Sequence, residues 1–362
     1  MDKSSGDSNM DSQRPFTGTD VPVESIDEVL DLRRPKQVPK WVQEAIEAHL
    51  EIEREDAKSA GSLGFMHRAL VNASMPYKDP KSRIFERKNG NFTLTIMAGY
   101  HGGIPYGIYP RLLMSWVSTE VVRTNSPELE LGDSLASFLR DVLDLERGGG
   151  KRGSSTRVTE QMKRLFGASI TATGTGQSNR RFQLRNMSVV SEVDLDEVEF
   201  ERRLAGSGYE AEPASEGAAS ADEVQLWTPQ ASGHHGWKSR VLLTEYFFNE
   251  LRSSPVPIDL RAYRALRGSP LAMDVYTWLT FRNSYLQRPS GLIRWEVLMN
   301  QLGSGYSTPR AVLDFKRNFL QALNAVLIVY PQAKVAVAEK GIILHPSPPH
   351  IPKGTQQGLP GF

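Results

Sequence analysis

Between Glu192 and Glu223 the chain carries eleven acidic residues against Arg202 and Arg203 alone, and from 205 to 222 it is rich in Gly, Ala and Ser. Such a stretch cannot bury enough apolar surface to offset the entropy lost on ordering it. It divides a chain of 362 residues, already longer than one hydrophobic core usually fills. The reading is therefore of structured units joined by an acidic flexible linker at 192–236. Both flanking segments are basic. From Arg140 to Arg185 there are ten basic and four acidic residues, and from Lys238 to Lys340 fourteen and seven. The formal net charge of +1 is thus a cancellation, and it does not argue against a polyanionic partner.

Residues 1–38, rich in Ser, Asp, Pro and Thr with no apolar period, read as a disordered N-terminal tail, and 347–362 as a C-terminal one. No basic region followed by an apolar one opens the sequence, and nothing approaches the ~20 apolar residues that cross a bilayer. A soluble, cytoplasmic protein without membrane contact is expected. The absence of cysteine excludes disulfides, Cys-ligated zinc, iron–sulfur clusters and thiol catalysis.

A helical extension is assigned to 39–84, where Trp41, Val42, Ile46, His49, Leu50 and Ile52 recur at helical spacing. The first unit, 85–191, opens with a strand at 92–97 and a Gly-rich turn at 101–107. A helix from Pro110 to about 123 follows, with Leu112, Leu113, Trp116, Val117 and Val121 inward. Asp133 caps a second helix that ends at the glycines 148–150. Thr156 caps a third, 157–166, with Gly167 in a left-handed closing role. A hairpin, 169–175 and 181–191, turns at 176–179.

The second unit, 237–346, begins with helices at 245–252 (capped by Thr244), after Asp259 to 266, from Pro270, and at 293–302. A last helix, capped by Thr308 and opened by Pro309, runs to about 326, followed by strands at 327–330, 334–338 and 342–344. The order of helices then hairpin occurs twice, about 150 residues apart. The fold class read from this is α+β, mainly helical: two winged-helix domains in tandem.

Sites for catalysis fail on spacing. After the glycines at 148–150 comes Lys151, but Leu145 stands where a phosphate loop needs glycine and Arg152 where it needs a hydroxyl. Gly174-Thr-Gly176 continues as Gln-Ser-Asn, which breaks the dinucleotide fingerprint. His234 and His235 are adjacent in a Gly-flanked loop, without the spacing of converging metal ligands. Neither a nucleophile elbow nor a paired-carboxylate arrangement is found. No catalytic residue, cofactor or metal is expected.

The positive signal lies in the last helix. Arg310, Asp314, Arg317, Gln321 and Asn324 follow at spacings of 4, 3, 4 and 3, opposite Val312, Phe315, Phe319, Leu320, Leu323 and Val326. Arg, Gln and Asn make bidentate contacts to guanine and adenine edges in the major groove. Arg310, Arg317, Gln321 and Asn324 are the base-reading candidates, although any solvated helix face shows the same pattern. Backbone phosphate contacts are assigned to Arg152, Arg157, Lys163, Arg164, Arg180, Arg181 and Arg185 in the first unit. In the second they fall to Arg294, Thr308, Lys316 and Lys334.

Three stretches carry a family resemblance: GGIPYGIYPRLL at 102–113, the block 139–166 ending in TRVTEQMKRLF, and IDLRAYRALRGSPLAMDVYTWL at 258–279. Over about residues 90 to 346 the chain resembles plasmid replication initiators of the RepA type. The resemblance implies a non-enzymatic tandem winged-helix protein that binds direct repeats (iterons) in double-stranded origin DNA. It further implies opening of an adjacent A/T-rich stretch, recruitment of host initiator and helicase proteins, and a monomer–dimer equilibrium in which the protein represses its own promoter. In that family the C-terminal winged helix reads the iteron, while the N-terminal one contacts backbone and dimerises. The long linker and the N-terminal extension depart from the compact pattern and leave the mutual orientation of the two domains open. Two alternatives remain, a metal-dependent nicking enzyme with a Tyr nucleophile and a plain winged-helix transcription repressor.

Overall fold

The computed structural model describes residues 40–131, 138, 143, 153–175, 182–194, 240–303 and 310–352. Helix and strand are mixed, as an α+β chain requires. Helix α1 (Lys40–Arg54) buries Val42, Ala45 and Ala48 and leaves Ile46 and Leu50 outward. The expected inward face contained both outward residues; the small Ala45 and Ala48 instead give the face of closest approach. The region assigned as a helical extension also holds strand β1 (Leu63–Met66), the short helix α2 (Arg68–Asn72) and the start of β2 (Ile84–Asn89).

A four-stranded antiparallel sheet has the order β2-β3-β5-β6, with β3 (Phe92–Ala98), β5 (Ala168–Thr175) and β6 (Phe182–Ser188). Between β3 and β5 run α3 (Ile108–Thr124), the short strand β4 (Glu128–Glu130) and α4 (Ser154–Phe166). Gly107, at φ 80°, turns the chain into α3 through backbone that a side chain would strain. Pro110 then lies within the first turn of α3 rather than opening it. Helix α3 is buried on nearly every side from Pro110 to Ser118, so its residues do not segregate into two faces.

Two caps differ from expectation. Helix α4 begins at Ser154 without a side-chain cap, which puts Thr156 inside it. Gly167 has φ −82° and is not left-handed; what it supplies is space, since a Cβ there would meet Tyr100 Cβ at 2.8 Å. The helix expected after Asp133 lies outside the described residues apart from Phe138 and Leu143, both buried. So does the turn at 176–179.

Strand β7 (Val190–Asp194) pairs with β8 (Arg240–Leu243), which in turn pairs with β4. Then come α5 (Glu245–Ser253), β9 (Val256–Asp259), α6 (Leu260–Ala265) and α7 (Pro270–Tyr285). The caps of these helices are side-chain oxygens: Thr244 accepts from Phe247 N–H, Asp259 from Arg261 N–H and Ser269 from Ala272 N–H. Helix α7 is buried all round from Leu271 to Thr280.

The chain closes with β10 (Ile293–Arg294), α8 (Trp295–Leu302), α9 (Ala311–Val329), β11 (Val335–Ala338) and β12 (Gly341–Leu344). The helix expected at 293–302 gives up its first two residues to β10, because they pair with β12. The strand expected at 327–330 is the last turn of α9: a short apolar run does not distinguish a buried strand from a buried helix end.

The recurrent order conceals two different sheets. Near the C-terminus β10 joins the second strand of its hairpin, giving β10-β12-β11, whereas β3 joins the first strand of its own, β5.

The halves interlock around one buried cluster that takes residues from both. β1 pairs with β9, Leu63 opposite Asp259, and α1 packs against α6 and α9. Arg111 of α3 forms a buried two-bond ion pair with Asp274 of α7, both bonds at 2.8 Å. The segment read as a linker lies outside the described residues from 195 to 239, yet its ends are cross-strand neighbours, Asp194 opposite Arg240.

Candidate nucleic-acid interface

Helix α9 is held from beneath. Phe315, Phe319, Ala322, Leu323 and Val326 are buried, and Phe319 meets Trp295 of α8 edge-on at 5.8 Å. Trp295 is fixed in turn by its indole N–H, which donates to the Glu339 carbonyl at 2.9 Å in the β11–β12 turn. This packing turns the polar stripe outward. Arg310, Arg317 and Gln321 are exposed, while Asp314 and Asn324 are half-buried. Thr308 lies outside the described residues, and α9 starts at Ala311 with Arg310 in the flanking position. Within the stripe Arg317, largely in water, pairs with the half-buried Asp314 at 3.3 Å, so this pair orients a side chain more than it stabilises the fold.

The hairpin gathers further cations at one edge of this helix. Lys316 lies over the Trp295 ring at 5.5 Å and reaches the Glu339 carbonyl at 3.5 Å. Arg294 is opposite Gly341 in register, beside the exposed turn residue Lys340. Lys334 is exposed at the start of the hairpin. Sequence reasoning overlooked Lys340, and it overlooked Leu313, whose position off the apolar face of α9 was the available signal.

In the first half the assigned cations separate. Arg157 is exposed on α4 and Lys163 is half-buried. Arg164 is committed inside the protein. Its side chain is 12% exposed, bonds Glu160 at 2.8 Å and Asp79 at 3.4 Å, and covers the Tyr106 ring. Burial works against its charge, but the two carboxylates outweigh that and hold the guanidinium protonated more firmly than usual. Arg164 therefore braces the Gly-rich turn, together with Gln161, whose Oε1 accepts from Tyr106 N–H at 2.8 Å. Arg152, Arg180 and Arg181 lie outside the described residues, as does the side chain of Arg185 on β6.

The Arg111–Asp274 pair gives two of the resembling stretches a physical role. Arg111 also donates to the carbonyls of Met75, Gly107 and Pro76 at 2.7, 2.6 and 3.3 Å. Tyr77 stacks on its guanidinium at 5.0 Å and donates its hydroxyl to the Leu302 carbonyl; burial pushes that phenol well above its usual range. The stretch at 102–113 is thereby fastened to the one at 258–279. The profile of the family described as plasmid encoded RepA protein matches residues 104–205 and 214–296, covering both partners of the pair. The chain belongs to this family of plasmid replication initiators.

No curated protein matches this RepA-family chain. Among solved structures it is similar to the crystal structure of selenomethionine derivatives of domains 2 and 3 of RctB, with 12% identity. That likeness covers 76% of this chain and 96% of the other at a TM-score of 0.40, too loose to carry a correspondence of elements. Among the described residues no helix is long and apolar enough to cross a membrane, and no group of three or more potential metal ligands occurs.

Proposed function

We propose that this RepA-family initiator is a non-enzymatic, sequence-specific binder of iterons at a plasmid origin. Helix α9 enters the major groove and the β11–β12 hairpin lies along the adjacent backbone, in the manner of a winged helix. The observation that carries this reading is the outward cationic and amide stripe of α9, flanked by Arg294, Lys316 and Lys340. Arg310 and Arg317 supply base discrimination of about 1–3 kcal/mol per good bidentate contact, while the flanking lysines supply salt-sensitive affinity. Arg157, with Lys163 and Arg185, is assigned to backbone contact by the first half. Opening of A/T-rich duplex, recruitment of host initiator and helicase, dimerisation and autorepression complete the proposal as roles in the cytoplasm.

Footprinting on the parent plasmid tests it. R317A should relax the preference at one base pair, whereas R157A should weaken all sequences alike and lower the salt slope by about one. A footprint unchanged in both variants refutes the assignment. Nicked circles bearing a covalent 5′ adduct, formed with Mg²⁺ and supercoiled origin plasmid, would overturn the non-enzymatic reading. An A/T-rich strand that stays insensitive to single-strand probes leaves a repressor in place of an initiator.

A further inference from the structure

Leu313 is 66% exposed, more than any other large apolar side chain among the described residues. It lies in the first turn of α9, and its neighbours three and four positions away on the helix surface are Arg310, Lys316 and Arg317. An apolar protein surface docking there would strip water from Arg310 and Lys316 while offering them no counter-charge, which is costly. A polyanion meets them favourably. Duplex DNA is a polyanion that also presents isolated apolar groups in its major groove, the C5-methyls of thymine. Leu313 and Arg317 stand one helical turn apart, at about 5–6 Å between Cβ atoms, so a base contacted by Arg317 and a methyl under Leu313 would belong to neighbouring base pairs.

The geometry points to Leu313 as a specificity-determining residue that packs on a thymine methyl beside the base pair read by Arg317. This rests on the reading of α9 as the base-contacting helix and adds a contact that its polar stripe does not contain. Because Leu313 is exposed, L313A leaves folding intact, and its melting temperature serves as the control.

The probe is a duplex selected by the wild-type full chain from a random pool, with each thymine replaced singly by uracil, which removes only the methyl. One position should weaken wild-type binding about fourfold, the worth of one buried methyl group. That penalty should vanish in L313A and persist in L313I. If no uracil weakens the wild type, or if L313A suffers the same loss, the inference is overturned while α9 remains a DNA reader. If the pool yields no preferred sequence, the parent reading fails and this one with it.

Discussion

Replacing Arg111 by methionine should cost the protein about 4–6 kcal/mol, a large share of the roughly 5–15 kcal/mol that stabilises a typical chain. Arg111 is 1% exposed, so its loss leaves the Asp274 carboxylate without its partner in a nearly dry site. Breaking a buried pair from one side costs about 3–5 kcal/mol. The carbonyls of Met75, Gly107 and Pro76 also lose a donor. They retain second lone pairs, so together they add only about 1 kcal/mol. D274N is milder, at about 2–3 kcal/mol, because the guanidinium keeps its carbonyl acceptors and an amide oxygen remains opposite it. In R111M/D274N the buried charge is gone, and the double variant should be more stable than the sum of the single losses predicts by about 2 kcal/mol. Urea unfolding followed by tryptophan fluorescence measures all four proteins. The pair joins α3 to α7, so a single transition is expected, with an unchanged slope and a lower midpoint. Two separate transitions of which R111M moves only one, or a loss below 1 kcal/mol, would refute the interlocked architecture.

Replacing residues 195–239 with a four-residue turn should preserve the fold, because Asp194 and Arg240 are already opposite one another; shortening the excursion also lowers its closure cost by about 2 kcal/mol. The same change removes nine acidic and three basic residues, so filter binding to unrelated DNA should tighten; unfolding, or unaltered non-specific affinity, would count against it. Burial pushes the imidazoles of His67 and His350 down to about 4, so each takes up its proton more readily unfolded than folded. Their stabilisation is full above pH 6.5 and should fade by about 3 kcal/mol each as pH drops toward 4, seen as a falling urea midpoint whose slope H350Q roughly halves. R164A should lower the melting temperature, at about 1–2 kcal/mol, and leave the salt slope of DNA binding untouched; a reduced slope would return Arg164 to the phosphate contacts.

What the sequence discloses depends on how local its cause is. The starts of α5 and α6 are legible because Thr244 and Asp259 each bond a backbone N–H two or three residues on. Strand β1 is not legible, since only four residues of β9, far along the chain, make it a strand. Helices α3 and α7 blur for another reason: buried on all sides, they lack the two-faced pattern on which periodicity depends. The stripe on α9 is legible because one of its faces is wet. Charge counts, by contrast, cannot distinguish Arg317, 76% exposed, from Arg164 at 12%. The difference lies in Asp79 and Ile104, which reach Arg164 only in the folded chain.

The packing of α1 also limits how much of the stripe can meet DNA. Gln321 shares a cavity of about 340 Å³ with Trp41 of α1, Tyr77 and Leu271, and Asn324, one turn further on, is half-buried. The C-terminal part of the stripe therefore runs alongside α1 rather than standing clear of the protein. Arg310, flanking α9, and Leu313 and Arg317, in its first two turns, are exposed, and among the described residues α1 does not cover them. A recognition helix of the helix-turn-helix kind meets base edges chiefly through its N-terminal residues, which is the part of α9 left open. On the proposed reading, the N-terminal extension thus bears on the DNA-facing helix: the packing of α1 leaves for base contact the end of α9 that carries its cations.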